Sequence, residues 1–165
     1  MIHWYTTVLL LFLAGCNGLS GNPYHKVMPH AGNAYKVTGV KDGDTFVVLM
    51  DGSEQVVRLA HIDCPEKKQP FGSRAKQFVS DRCFGKYVLL LHHYKYDRNK
   101  RLIAEVMLED GSNLNQELVR NGLAWHFKKY STDAGYAALE AAARLHRKGL
   151  WADEKPVAPW EWRHR

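Results

Sequence analysis

Tyr35-Lys-Val-Thr-Gly-Val40, Lys41-Asp-Gly-Asp44, Thr45-Phe-Val-Val-Leu-Met50, Asp51-Gly52 and Gln55-Val-Val-Arg-Leu-Ala-His-Ile62 follow one another almost without a break, and their order decides the fold. The first, third and last runs are rich in β-branched and large apolar residues. They are separated by Asp-Gly turn dipeptides, of which Asp51-Gly52 is a strong hairpin signal. Three consecutive antiparallel strands are predicted. Working outward, Phe71, Ala75, Phe78, Val79 and Cys83 recur at helical spacing, so Phe71 to Phe84 reads as a helix stopped by Gly85. Tyr87 to Tyr94 and Leu102 to Leu108 read as two further strands joined by a polar turn around Asp97 to Lys100. Asn113 to Asn121 puts Leu114, Leu118 and Val119 on one helix face, with Ser112 or Asn113 at its start and Gly122 at its stop. Tyr136 to Lys148 is a third, Ala-rich helix ended by Gly149, with Leu150-Trp151 folding back on it.

Five strands, one helix between the third and fourth and two helices at the end predict an α+β, mainly β domain. The expected architecture is a small closed five-stranded OB-fold barrel with three helices. A three-stranded sheet with packed helices is the alternative, but it would leave open strand edges that the sequence does nothing to protect. The predicted parts are residues 1–16 as a leader, 17–33 as a flexible tether, 34–152 as the domain and 153–165 as a C-terminal tail.

Composition agrees with one folded domain. The 165 residues are 45% hydrophobic and 24% charged, which excludes a disordered tail, and a chain of this size supports a core without metal or disulfide staples. The three cysteines make no disulfide framework and no CxxC pair. Cys83 lies about twelve residues along the helix that follows Cys64, ~18 Å away, whereas a bridge needs Cα atoms within ~7 Å. Cys83 is therefore expected as a buried core thiol. The net charge of +6 is unevenly spread: Lys67 to Arg101 holds ten basic and two acidic residues, leaving thirteen basic and fifteen acidic elsewhere. Such concentration suits an anionic, phosphate-bearing partner, although a solvated lysine-rich helix and hairpin would look the same.

Residues 1–16 contain no Lys, Arg, Asp or Glu, and Val8 to Ala14 is an apolar run ending in Leu13-Ala14-Gly15-Cys16. It is too short for a bilayer span of ~20 residues and reads as the core of an export signal. The Leu-Ala-Gly-Cys ending resembles a bacterial lipobox, which implies cleavage before Cys16 and lipidation of its thiol. The expected address is thus the cell envelope, with a lipid anchor on Cys16 as the sole membrane contact, or else secretion.

Three segments carry the chemistry: Asp42-Gly-Asp-Thr45, Val57-Arg-Leu-Ala-His-Ile-Asp-Cys-Pro-Glu66, and Asp97-Arg-Asn-Lys-Arg-Leu-Ile-Ala-Glu-Val106. Asp44 opens one strand, Asp63 closes another, and Glu66 follows past a stiffening proline. Carboxylates at adjacent strand ends can converge on one hard cation such as Ca²⁺. Arg58 sits among Val56, Leu59, Ala60 and Ile62 and needs an anionic partner if its end is recessed.

Together these segments resemble the thermonuclease family, the staphylococcal nuclease-like OB-fold nucleases. The resemblance extends to Gln69-Pro-Phe-Gly72, Gly122-Leu-Ala-Trp125, Gly149-Leu-Trp151 and Pro159-Trp-Glu-Trp162, and runs over about residues 35 to 151. It implies a Ca²⁺-dependent phosphodiesterase of DNA and RNA, expected to be a monomer. The family's metal carboxylates fall on Asp44 and Asp63, its carbonyl ligand on Cys64, its glutamate base on Glu66, and its catalytic arginines on Arg58 and Arg101. Nucleic-acid contacts are expected from Arg98, Lys100, Lys128 and Tyr130. Ca²⁺ and two guanidiniums would stabilise the charge that builds on the phosphoryl group in the transition state.

The chain departs from the family in three places. Cys64 replaces the usual Thr or Ala, Asn99-Lys100 replace Tyr-Gly before the second arginine, and Lys128 stands where one of two tyrosines is usual. The rival class, a non-catalytic OB-fold nucleic-acid-binding lipoprotein, would have lost at least one of Asp44, Asp63, Glu66, Arg58 and Arg101. This chain keeps all five.

Overall fold

The computed structural model describes residues 34–165; the expected leader, Cys16 and the tether lie outside the described residues. In chain order the elements are β1 (Ala34–Val40), β2 (Thr45–Met50), β3 (Ser53–Leu59), β4 (Ile62–Asp63), α1 (Gly72–Cys83), β5 (Tyr87–Leu91), β6 (Leu102–Met107), α2 (Leu114–Arg120), β7 (Trp125–His126), α3 (Ala134–Leu145), a 3-10 turn (Gly149–Ala152) and α4 (Pro159–Trp162). Strands β1, β2, β3, β6 and β5 close into a barrel in that order, so the open-sheet alternative falls away.

The first three strands form the expected meander. Thr45 stands opposite Arg58 and Met50 opposite Ser53. The hairpin turns on Asp51 and Gly52, both at positive φ (50° and 78°), the conformation that matches the twist of the flanking strands. β5 is antiparallel to both β1 and β6. Closure comes from a parallel contact between β3 and β6, where Arg58 pairs with Ile103. That contact brings the start of β6, and with it Arg101, beside Arg58.

Several boundaries correct the sequence expectation. The third strand, expected to run unbroken from Gln55 to Ile62, ends at Leu59, and Ile62-Asp63 leave the barrel to pair with His126 and Trp125. The break falls at His61, whose φ is 67°. Its Nδ1 lies 2.8 Å from Ser131 Oγ and its ring stacks 4.7 Å from that of Tyr136; contacts from 70 and 75 residues away thus hold a backbone kink that local propensity does not encode. β5 stops at Leu91 rather than Tyr94, and Tyr94 takes a φ of 52°. α3 begins two residues earlier than expected because Asp133 caps it, accepting from the backbone N–H groups of Gly135 and Tyr136.

Alternate residues of the strands fill the barrel: Val37, Phe46, Val48, Val57, Leu102, Ala104 and Val106 are buried. Ala75, Val79 and Cys83 of α1, and Leu114 and Leu118 of α2, close its ends in the same cluster. Cys64 and Cys83 are both free and buried, and the Cys83 thiol donates to the Val79 carbonyl at 3.0 Å, as expected of a core thiol. Leu150 and Trp151 pack with Ala143 as a small second cluster.

Residues 153–165, set apart from the sequence as a tail, carry the fourth helix, a single turn. Ala158 and Pro159 are buried, Gln69 Nε2 donates to the Val157 carbonyl at 2.6 Å, and the Trp160 ring stacks on Phe127 at 5.2 Å and 4°.

Candidate active site

An open groove of about 2160 Å³ runs across one end of the barrel, with Asp42, Asp44, Arg58, Asp63, Cys64, Glu66 and Arg101 among its lining residues. Two glycines fix its acidic floor. A Cβ on Gly43 would stand 2.6 Å from Ala75 Cβ and 2.9 Å from Cys64 Cβ, so the Asp42-Gly43-Asp44 loop can press against α1 only without a side chain there. A Cβ on Gly72 would lie 1.9 Å from the Glu66 carbonyl oxygen, so the start of α1 and the Glu66 loop are packed backbone to backbone.

Asp44 and Asp63 meet through Arg58. Its Nη1 is 2.9 Å from Asp44 Oδ2 and its Nη2 is 2.7 Å from Asp63 Oδ1. This supplies the anionic partner that a recessed arginine requires. Burial works against the guanidinium charge, but the carboxylates of Asp44 and Asp63 outweigh it and hold Arg58 protonated more firmly than usual. Asp44 also accepts from the Cys64 backbone N–H at 2.7 Å and from the Thr45 hydroxyl at 3.1 Å. Burial raises the Asp63 carboxyl above the ordinary range, with Arg163 and Arg58 pulling the other way. Asp42 is pushed up to about 6, chiefly by burial and then by the charge of Asp44.

Arg101 approaches from the other side. Its Nε and Nη2 both lie 2.7 Å from Asp97 Oδ2, and its Nη1 donates to Thr45 Oγ1 at 3.3 Å. Thr45 thus links Arg101 to Asp44. Glu66 is half-exposed at the groove edge. Arg98, Lys128 and Tyr130 line the same groove. Lys100, at a φ of 58°, is exposed and does not line it, because the turn that presents Arg101 inward points its neighbour outward.

Sequence reasoning missed two features. Arg163 places Nη2 2.6 Å from Asp63 Oδ2 and Nη1 2.6 Å from Glu66 Oε1. Beyond it runs an aromatic wall in which Tyr130 meets Phe127 edge-on at 4.9 Å and Phe127 stacks on Trp160. The Pro159-Trp-Glu-Trp162 motif was the available signal for both.

The donors suit a hard cation: carboxylates of Asp44, Asp63 and Glu66 with the backbone carbonyl of Cys64 are all oxygens. The Cys64 thiol does not compete as a soft ligand, since complete burial holds its pKa well above the usual thiol value and only a thiolate binds metal well. Among the described residues no three His, Cys, Asp or Glu side chains stand together as a preformed metal cage; the carboxylate oxygens are turned to guanidiniums instead.

A barrel of this topology, with clustered carboxylates and arginines at its mouth, defines an OB-fold protein. Residues 56–153 match the family described as staphylococcal nuclease homologue, and the chain belongs to that family. It is 40% identical over 130 residues to an uncharacterized endonuclease of Escherichia coli O157:H7, covering 79% of this chain and 84% of that protein. An uncharacterized endonuclease of Haemophilus influenzae is 40% identical over 81% of this chain and 74% of its own length. A micrococcal nuclease of Shigella flexneri is 36% identical over 78% of this chain and 79% of its own.

Proposed function

We infer that the chain is a Ca²⁺-dependent endonuclease that hydrolyses phosphodiester bonds of DNA and RNA. The observation that carries this reading is the meeting of Asp44, Asp63, Glu66, Arg58 and Arg101 in one groove, at residues separated by up to 57 positions. Family membership and the endonuclease relatives support the same reaction class.

Asp44, Asp63 and the Cys64 carbonyl would hold the cation beside Glu66, and when bound it supplies Lewis-acid charge against the phosphoryl oxygens. The chain's own residues do the rest. Arg58 and Arg101 present guanidinium N–H groups that match phosphoryl oxygens in pairs, so they stabilise the more highly charged transition state beyond the ground state. Removing one such donor costs about 3 to 4 kcal/mol of barrier in comparable oxyanion sites. Glu66, at the solvent edge, accepts the proton of the attacking water. Arg98 and Lys128 supply positive charge along the groove, and Tyr130, 72% exposed, offers a face on which a base can stack for ~1 to 3 kcal/mol.

The test is cleavage of a single-stranded oligonucleotide by the purified chain: activity appears with Ca²⁺ and stops with a chelator. Equal rates with and without the metal would overturn the metal-assisted mechanism. The proposed address is the cell envelope, through a lipid on Cys16. A mass spectrum of the native N-terminus checks it, since an unmodified Cys16 refutes the anchor.

A further inference from the structure

We propose that Arg163 is an additional positioning residue of this site, a built-in cation that holds Glu66 and competes with the divalent metal for Asp63. The proposal rests on the metal reading above and concerns a residue outside the five that define it.

Three observations carry it. The first is what Arg163 touches. Its two terminal nitrogens sit 2.6 Å from one oxygen of Asp63 and 2.6 Å from one oxygen of Glu66, a carboxylate that would hold the metal and the one that would act as base beside it. With Arg58 on the other oxygen of Asp63, both oxygens of that aspartate face guanidiniums. A divalent cation in the same place would meet a positive charge within a few ångströms, and like charges at that distance in a partly buried site exclude one another.

The second is that Arg163 is held there by a built segment. Ala158 and Pro159 are buried. Gln69 ties the segment to the Glu66 loop, accepting from the Glu66 N–H at 3.1 Å while donating to the Val157 carbonyl at 2.6 Å. Trp160, three residues before Arg163 on one turn of helix, is stacked on Phe127. The same turn that stacks Trp160 on Phe127 therefore aims Arg163 at the carboxylates.

The third is that the contact can be undone. Asp63 is almost wholly buried, but the Arg163 side chain is 42% exposed and Glu66 41%. A surface-accessible guanidinium on a long flexible stem leaves at little cost, in contrast to one woven into a strand. Arg163 thus keeps the carboxylates neutralised before metal arrives and yields them when it does. Once displaced it stays beside the groove, where its charge matches a phosphate.

The experiment is a calorimetric titration of the full chain with CaCl₂, comparing wild type, Arg163→Ala and Arg163→Lys, with circular dichroism to establish that each is folded. Competition predicts a Kd for Ca²⁺ about tenfold lower in Arg163→Ala, equivalent to about 1.4 kcal/mol, and an intermediate value in Arg163→Lys, which keeps a point charge but loses the fork. The direction is diagnostic, because a merely structural arginine would weaken metal binding when removed. A Kd that is unchanged or higher in Arg163→Ala, with wild type binding Ca²⁺ normally, overturns the proposal and leaves the metal reading intact. Ca²⁺ binding by none of the three chains overturns both.

Discussion

Two guanidiniums grip Asp63, one on each oxygen, and they could hardly be held more differently. Arg58 is a residue of β3, opposite Thr45 across the sheet, and its side chain is 13% exposed. Arg163 comes from the end of a single turn of helix, 100 residues past Asp63, and is 42% exposed. The first is part of what closes the barrel mouth; the second reaches over the surface to the same carboxylate. A buried and an exposed partner of one buried carboxylate, at 2.7 and 2.6 Å, differ in what their loss leaves behind. Removing the buried partner strands a charge without water, whereas the exposed one is replaced by solvent. One arginine builds the site and the other modulates it.

The largest effect should come from breaking the buried member. Arg58→Ala leaves Asp63 with Arg163 alone and removes the guanidinium that joins it to Asp44. Urea unfolding of the metal-free chain should show a loss of about 3 kcal/mol or more, and turnover should fall by orders of magnitude. Arg58→Lys should rescue neither, since a lysine cannot bridge both carboxylates. If Arg58→Ala unfolds no more easily than Arg163→Ala, the distinction between built-in and applied arginine fails.

Glu66 sharpens the comparison because it touches the exposed arginine only. Glu66→Gln should unfold within about 0.5 kcal/mol of wild type, as expected for a half-exposed ion pair. Its turnover should drop ~10²- to 10⁴-fold if the carboxylate takes the proton of the attacking water. Steady-state cleavage of an oligonucleotide beside urea unfolding separates the two quantities, and unchanged turnover removes Glu66 from the mechanism.

The buried half of this comparison was legible in the sequence and the exposed half was not, for physical reasons. Asp44, Arg58 and Asp63 lie at or beside strands whose alternation and turn dipeptides are local signals, and an arginine among apolar neighbours announces a partner. Their meeting follows once the strand order is known. His61 shows the limit of such reasoning: its positive φ is held by Ser131 and Tyr136, so the end of β3 is decided by tertiary contacts. Asp133 escaped because a cap outweighs the apolar periodicity that places α3. Lys100 and Arg101 are adjacent and both cationic, yet the turn at Lys100 sends only Arg101 into the groove. Arg163 stands in a short, aperiodic stretch, where nothing local says that a chain 97 residues past Glu66 returns to it.

The smallest predicted effect tests whether α4 matters as a holder or only as a stretch of chain. Trp160→Ala deletes the stack on Phe127 and the edge contact with Trp125 at 5.6 Å but leaves Arg163, Gln69 and every carboxylate in place. Aromatic pairs of this kind contribute about 0.5 to 1.5 kcal/mol beyond their buried area, so a stability loss near 1 kcal/mol or somewhat above is expected by urea unfolding. If the stack aims Arg163, its loss should also lower the Kd for Ca²⁺, in the same direction as Arg163→Ala and by less, because the guanidinium remains free to find the carboxylates. Reduced stability with an unmoved Kd would mean that Asp63 and Glu66 alone draw Arg163 in. The applied arginine would then be positioned by its charge, as Arg58 is positioned by its strand.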